Sequence, residues 1–143
     1  MKRLLLAIVC LTLGACSGSD SQIPLKVHAG DSAQVRNEFS VELAQTPGER
    51  TQGLMFRKSL GANRGMLFIW TELTNGAFWM HNTLIPLDII FIGPDKKIIN
   101  IVANAEPQTD TPREPEADYQ YVLEIEGGRA AALGIAPGDL VSF

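Results

Sequence analysis

Asp88 is an acid placed within residues 78–92, the most apolar stretch of the chain after its first 15 residues. A buried carboxylate without a partner either takes a raised pKa or strongly destabilises the fold. One interpretation is therefore a partly buried acid that lines a pocket, as a ligand anchor or a general acid/base. The other is structural, with Asp88 accepting hydrogen bonds from backbone N–H groups or pairing with Arg57 or Arg50. In the structural interpretation, loss of the carboxylate lowers the stability of the fold. In the pocket interpretation it need not.

Trp79, Asn82 and Thr83 place an indole beside polar side chains in the same stretch. An indole with polar neighbours is a usual platform for a sugar ring or another planar ligand, and it is also a common core residue. Glu124 lies on the more polar face of a predicted strand, where an arginine is its expected partner. The candidate pocket predicted from the sequence comprises Arg57, Trp79, Asn82, Thr83, Asp88 and Glu124.

Two catalytic or metal-binding alternatives follow from other residue types. Asp88 with Glu124 or Glu42 would supply the carboxylate pair that a hydrolase of envelope polysaccharide needs, about 5–9.5 Å apart. No nucleophile elbow, His-Glu-x-x-His motif or phosphate-binding glycine loop is present. The sequence therefore predicts no other familiar catalytic machinery.

A Cu(I) site is the second alternative, because thioethers and imidazole are soft ligands that suit this ion. Its candidates are Met55, Met66, Met80 and His81, with Trp79 nearby. Met80 and His81 are adjacent, however, so on a strand their side chains point to opposite faces. Methionine is also a common core filler, and no metal site or cofactor is predicted.

Periodicity predicts the elements that position these side chains. Thr46 and Glu49 form a capping box around Pro47, which predicts a helix start. Gly134 predicts the end of the second helix. The predicted helices are residues 47–55 and 129–133, and the predicted strands are residues 23–28, 38–44, 65–70, 77–80, 87–92, 97–102, 119–126 and 140–143. This is a mainly β (α+β) fold with two short helices, a compact single-domain β-barrel or rolled sheet.

Residues 103–118 contain three prolines and six charged residues, and they predict an exposed acidic loop. A long structureless loop in a small domain is either a solvated connection or a functional element such as a lid. The sequence leaves both open.

The N-terminus predicts a lipoprotein signal. Lys2 and Arg3 precede the apolar residues 4–13, and Leu13-Gly14-Ala15-Cys16 has the form of a bacterial lipobox. The predicted organisation is a signal peptide at residues 1–15, the lipidated Cys16 with a flexible tether to residue 22, and one β-rich domain at residues 23–143. Ser17, rather than Asp, after the cysteine favours the outer membrane and the periplasmic face.

Cleavage changes the charge and cysteine content. The chain has 12 Lys and Arg against 16 Asp and Glu, so removal of Lys2 and Arg3 leaves 10 basic residues and a net charge of about −6. Such a surface is unsuited to phosphate backbones, and no nucleic acid partner is predicted. Cys10 leaves with the signal and Cys16 carries lipid, so the domain has no disulfide, cysteine nucleophile or thiolate metal site.

The order of these motifs resembles one family. Gly53-Leu54-Met55-x-Arg57, Gly65-Met66-Leu67-Phe68, Phe78-Trp79-Met80-x-Asn82-Thr83, Pro86-Leu87-Asp88-Ile89, Leu123-Glu124 and Gly134-x-x-x-Gly138-Asp139 are similar to domain-of-unknown-function family 192 over residues 39–143. The resemblance implies a small, often exported β-rich domain and no activity, because the family has none assigned. His81 occupies a position at which the family motif specifies no residue type.

The sequence as a whole predicts a lipid-anchored envelope protein with a non-catalytic binding or interaction role. Its partners are the membrane, through the N-terminal lipid, and a small molecule, saccharide or protein. The hydrolase and the periplasmic Cu(I)-binding protein remain the two alternatives.

Overall fold

The computed structural model describes residues 22–143, which form one seven-stranded sheet and two short helices. The strands are β1 (Ile23–His28), β2 (Val35–Ala44), β3 (Arg64–Thr74), β4 (Leu87–Ile92), β5 (Ile98–Ala105), β6 (Tyr119–Glu126) and β7 (Leu140–Ser142). The helices are α1 (Pro47–Gln52) and α2 (Arg129–Leu133). The predicted mainly β fold class is confirmed, while the predicted signal and lipidation site lie outside the described residues.

The strand order is β5-β4-β6-β3-β2-β1-β7, and all neighbours are antiparallel except the parallel pair β2 and β3. The two edge strands approach each other at one end. The Ile98 N–H donates to the Asp139 carbonyl (2.9 Å), and the Val141 N–H donates to the Lys96 carbonyl (2.8 Å). The sheet is thus rolled, without closing into a continuous barrel.

Two apolar clusters lie on the two faces of this sheet. The inner cluster takes residues from all seven strands, including Leu67 of β3 and Leu123 of β6. The outer cluster takes the alternating residues of the central strands, such as Phe68 and Val122, and adds Leu54 from the chain after α1. β4 is buried at all six positions, which confirms the prediction of a strand buried on both faces.

Residues 77–80 do not form the predicted strand. Only Phe78 makes a bridge, and its partner is Arg113 in the connection between β5 and β6. The Met80 N–H donates to the Thr109 carbonyl (2.9 Å), and the Thr83 carbonyl accepts from a backbone N–H of the same connection at 3.0 Å. The backbone groups of this segment therefore find partners in a loop rather than in a neighbouring strand.

The same contacts describe residues 103–118. Residues 103–105 belong to β5, and most of the residues that follow are exposed, as predicted. Backbone hydrogen bonds join three of them to the segment around Phe78. Asn100 adds two hydrogen bonds, donating to the Glu114 carbonyl at 3.2 Å and accepting from the Glu116 N–H at 3.1 Å. The connection is consequently an ordered strap over the outer face of the sheet.

Both helices are short and are capped as predicted. Thr46 Oγ1 accepts from the Glu49 N–H (3.2 Å), and the Glu49 carboxylate accepts from the Thr46 N–H (2.9 Å). α1 ends at Gln52, three residues before the predicted end, and Gly134 follows α2 with φ 68°. Within residues 22–143, no helix has the length and apolar character needed to cross a bilayer.

Candidate functional site

A cavity of about 410 Å³ opens on the outer face of the sheet. It lies between α1, strands β3 and β6 and the segment of residues 76–83. Among the described residues that line it, Arg50 and Glu124 are the two with charged side chains. The cavity therefore combines a largely apolar and aromatic wall with one base and one acid.

Aromatic rings in edge-to-face contact form much of the wall. The ring centroids of Phe68 and Phe78 lie 5.3 Å apart, and those of Trp70 and Tyr119 lie 5.2 Å apart. The Tyr119 hydroxyl donates to the Gly76 carbonyl at 2.8 Å. Burial raises the pKa of Tyr119 to about 12, so the phenol stays neutral at physiological pH. The aromatic part of the wall is thereby uncharged.

Arg50 is held in place by α1 and by the strand beneath it. Its Nη1 donates to the carbonyls of Gln45 and Ile69, the latter at 3.0 Å. Its guanidinium carbon lies 5.0 Å from the centroid of the Trp70 ring, within the range of a cation–π contact. The positive charge is consequently fixed at one side of the cavity.

Glu124 reaches the cavity because residues 121–125 of β6 alternate between the two faces of the sheet. Leu123 and Ile125 face the inner cluster, so Glu124 faces outward with its register partners Met66 on β3 and Ile89 on β4. The residue is 5% exposed. Within residues 22–143, no hydrogen-bond donor or cation contacts its carboxyl group. Burial raises the pKa of Glu124 to about 8, so the acid is mostly protonated at neutral pH.

The expected arginine partner of Glu124 is not found in the part of the chain that the structure describes. Arg57 instead forms a two-pronged pair with Glu42, with Nη1–Oε1 and Nη2–Oε2 distances of 2.6 Å each. The hydrogen bonds from Arg57 outweigh burial and hold the pKa of Glu42 below its ordinary value. Arg50 is committed to backbone carbonyls and to Trp70. Each nearby arginine therefore has another partner.

Asp88 points to the opposite face of the sheet from Glu124. Its register partner on β6 is Ile125, whose side chain belongs to the inner cluster. The carboxylate is fully buried. Oδ1 accepts from the N–H groups of Asn104 (2.8 Å) and Gly128 (2.9 Å), and Oδ2 accepts from that of Ala130 (2.7 Å). Asp88 thus ties the end of β5 and the start of α2 to β4, which is the structural interpretation.

The six residues of the predicted pocket divide into two groups. Trp79, Thr83 and Glu124 line the cavity, and the other three do not. Asn82 is an exposed turn residue with φ 53°, and its carbonyl accepts from the Phe56 N–H at 2.8 Å. Arg57 is paired with Glu42, and Asp88 lies on the inner face of the sheet.

Most residues of the cavity wall were not predicted from the sequence. Phe68 and Trp70 are two residues apart and share a face of β3, while Phe78 and Tyr119 come from distant parts of the chain. Alternation along β3 could have identified the first pair. The role of Arg50 as a lining residue had no sequence signal.

The structure also locates residues of the predicted carboxylate pair and of the predicted Cu(I) site. Neither Glu42 nor Asp88 joins Glu124 in the cavity. Met80 is fully buried, whereas His81 is exposed with its Nδ1 2.8 Å from an Asp110 oxygen. Among residues 22–143, no group of three or more His, Cys, Asp and Glu side chains is arranged to hold a metal ion.

The cavity belongs to a fold with solved relatives. Domain-of-unknown-function family 192, described as "Uncharacterized ACR", matches residues 27–143. A protein of unknown function from Novosphingobium aromaticivorans DSM 12444 is 43% identical, with a TM-score of 0.82 over 90% of both chains. A second structure, from Sinorhizobium meliloti 1021, is described as a putative transcription regulator. It is 35% identical, with a TM-score of 0.81 over 87% of this chain and 95% of that one. No curated protein matches.

Proposed function

The chain belongs to domain-of-unknown-function family 192, and we propose that it is a lipid-anchored, non-catalytic binding protein of the bacterial envelope. In this proposal the cavity beside Glu124 holds a small molecule. The supporting observation is the Glu124 carboxyl, which faces the cavity from an apolar sheet face and has no hydrogen-bond or ion-pair partner among residues 22–143. No fully enclosed side-chain nitrogen or oxygen of these residues lacks a partner, so this carboxyl is open to the cavity and not sealed in the core. A ligand in the cavity can therefore bond to it directly.

The dimensions and chemistry of the cavity support this assignment. Ligand sites are typically concave, about 300–1,000 Å³ in volume, and mostly apolar with a few polar groups that fix orientation. The cavity here has a volume of about 410 Å³, and its charged groups are Arg50 and Glu124. Glu124 opens to the cavity without a partner among residues 22–143, whereas Asp88 is fully satisfied by backbone donors.

Binding is favoured over catalysis because, among the described residues, no second carboxyl group lines the cavity with Glu124. Glycoside hydrolysis needs a second carboxyl group within about 5–9.5 Å across the substrate. The candidates for that role, Glu42 and Asp88, are bound to Arg57 and to backbone N–H groups respectively. A single buried acid can anchor a ligand without any reacting partner.

The anchor and the compartment rest on the sequence of the first 22 residues. Cys16 follows a lipobox, and residues 17–22 form a short polar tether that would hold the domain close to the membrane. The proposal places the protein at the periplasmic face of the outer membrane. Cys16→Ser should abolish incorporation of radiolabelled palmitate and release the protein from the membrane fraction. Unchanged membrane association would contradict lipid anchoring.

The description of the Sinorhizobium protein as a transcription regulator offers no support for nucleic acid binding by this chain. Nucleic acid is bound by clustered Lys and Arg. This chain carries 12 such residues against 16 acids, for a net charge of −4. The proposed ligand is accordingly a small molecule.

A thermal-shift screen tests the binding role. The full chain, purified in detergent, is melted with a panel of amines, alcohols, amino acids and envelope saccharides. A ligand at 100 times its dissociation constant adds about 2.7 kcal/mol to the free energy of unfolding. The matched variants are Trp79→Ala, which alters an exposed aromatic residue at the cavity, and Phe56→Ala, which alters one outside it.

The proposal predicts at least one compound that raises the melting temperature of the wild type and of Phe56→Ala but not that of Trp79→Ala. A shift that survives Trp79→Ala would place the binding site elsewhere. No shift across the panel would contradict the small-molecule role.

A further inference from the structure

We infer that the ligand of this cavity is a monoamine, a single organic ammonium group on a compact apolar or aromatic body. The inference rests on the proposed function, since it names the class of compound that the same cavity would take. It follows from the placement of one unpartnered carboxyl group among aromatic rings, and from the fixed position of the only other charge. Glu124 selects the head group, the aromatic wall selects the body of the ligand, and Arg50 limits the number of its charges.

The acid selects the head group. Glu124 is flanked by Met66 and Ile89, which can offer it no hydrogen bond of ordinary strength. A charge-assisted bond between an ammonium group and a carboxylate is roughly twice as strong as a neutral one. An amine therefore gains more at this position than an alcohol or amide of the same shape. A hard metal ion would need several oxygen ligands, whereas the cavity lining supplies one carboxyl group.

The wall selects the body of the ligand. Phe68, Trp70, Phe78 and Tyr119 line the cavity and pack against one another, so they give it a largely carbon surface. The Tyr119 hydroxyl is already committed to the Gly76 carbonyl. The part of the ligand beyond its head group therefore meets mostly carbon, and a hydrocarbon chain or aromatic ring fits that surface.

The second charge limits the ligand to one ammonium group. Arg50 donates to the Ile69 carbonyl and contacts the Trp70 ring, and these contacts hold its positive charge at the cavity. A diamine that placed one end on Glu124 would bring its other charge into a cavity that already holds this guanidinium. We therefore expect diamines to bind more weakly than monoamines of the same length.

Proton release is the signature of this binding mode. Free Glu124 is protonated at neutral pH, and pairing with an ammonium ion requires the carboxylate, so its proton passes to solvent. The other ionisable groups near it are Arg50, Tyr119 and, across Met66 on β2, Glu42 with Arg57. The pKa of Tyr119 is raised to about 12 and that of Glu42 is lowered, so neither titrates near neutrality. Glu124 alone would make the affinity depend on pH.

Calorimetric titration of the full chain tests the inference with matched probes. Benzylamine is compared with benzyl alcohol, n-butylamine with 1-butanol, and 1,4-diaminobutane with n-butylamine. At least one monoamine should bind ten or more times as tightly as its alcohol. From about pH 6 to about pH 7 its affinity should rise about tenfold, because the fraction of ionised Glu124 rises tenfold below its pKa. Buffers of different ionisation enthalpy should report about one proton released.

Glu124→Gln is the matched variant, since it keeps the size of the side chain and removes the charge. It should retain weak binding of the alcohols and lose both the amine preference and the pH dependence. Amines that bind no better than their alcohols, or with no pH dependence, would overturn the inference. The binding role would survive that result if a neutral compound in the screen still gave a shift lost in Trp79→Ala. If no probe binds in the calorimetric titration and no compound in the screen shifts the melting temperature, both the inference and the proposed binding role are contradicted.

Discussion

Glu124→Gln removes a buried acid while preserving the shape of the side chain, and it should stabilise the protein more strongly as the pH rises. Burial raises the pKa of Glu124 from an ordinary value of 4.5 to about 8. Below about pH 4.5 the group is protonated in both the folded and unfolded states, so its ionisation contributes nothing. Above that pH the unfolded chain ionises more readily than the folded one, and the fold loses stability until the pH passes about 8.

The magnitude follows from the size of this shift. A change of one pKa unit corresponds to 1.36 kcal/mol, so the loss of stability should approach about 5 kcal/mol above pH 8 and be roughly 3 kcal/mol at pH 7. Glutamine does not ionise and escapes this loss. Relative to wild type, the variant should therefore gain these amounts at the same pH values, apart from a constant offset for its buried amide.

Urea unfolding of both proteins, followed by tryptophan fluorescence at pH 4.5, 7 and 8.5, measures the difference. Subtracting the two free energies of unfolding cancels the other ionisable groups, which the proteins share. A difference that does not change with pH would refute the reasoning, because it would mean that solvent or a cation already stabilises the Glu124 carboxylate. Arg50 is the cation among the described residues that line the cavity.

Three further substitutions probe the scaffold of the cavity. Asp88→Asn should cost about 3 kcal/mol in urea unfolding, because the amide cannot accept all three backbone hydrogen bonds and leaves a buried N–H such as that of Ala130 unsatisfied. Gly65→Ala should cost about 1–3 kcal/mol, measured by thermal melting, because a Cβ there would lie 2.7 Å from the Glu124 carbonyl oxygen. Trp79→Ala should change the free energy of unfolding by less than about 1 kcal/mol while abolishing ligand shifts, because its side chain is 54% exposed.

Each of these substitutions has an outcome that contradicts its reasoning. An unchanged melting point for Asp88→Asn would rule out a structural role for that carboxylate. Gly65→Ala at wild-type stability would mean that β3 and β6 can separate freely. A large loss of stability in Trp79→Ala would assign the indole to the core instead of the cavity.

Local signals in the sequence were enough to predict several elements. The Thr46 and Glu49 capping box, the two-sided burial of β4 and the glycine after α2 each depend on residues close in the chain. The structural interpretation of Asp88 also followed from local context, since an acid within an apolar strand needs donors. The identity of those donors did not, because Asn104, Gly128 and Ala130 are brought to it by the fold.

The parts of the site that the sequence did not predict depend on tertiary register. Whether Glu124 meets an arginine is decided by the alignment of β6 with β3, which places Met66 beside it and leaves Arg57 to Glu42. The turn dipeptide Asn75-Gly76 predicts a strand at residues 77–80, but the backbone partners of this segment lie some 30 residues away in the strap. Periodicity describes which face a residue occupies and cannot supply the neighbour on that face.

The most direct test of the account is a pH titration of the Glu124 carboxyl carbon by ¹³C NMR, with and without a compound that shifts the melting temperature. The account predicts a pKa of about 8 in the free protein and a clear change of this resonance when the compound binds, lost in Trp79→Ala. A free pKa near 4.5 with a resonance that ignores the compound would mean that the cavity offers no unsatisfied acid and is not the binding site.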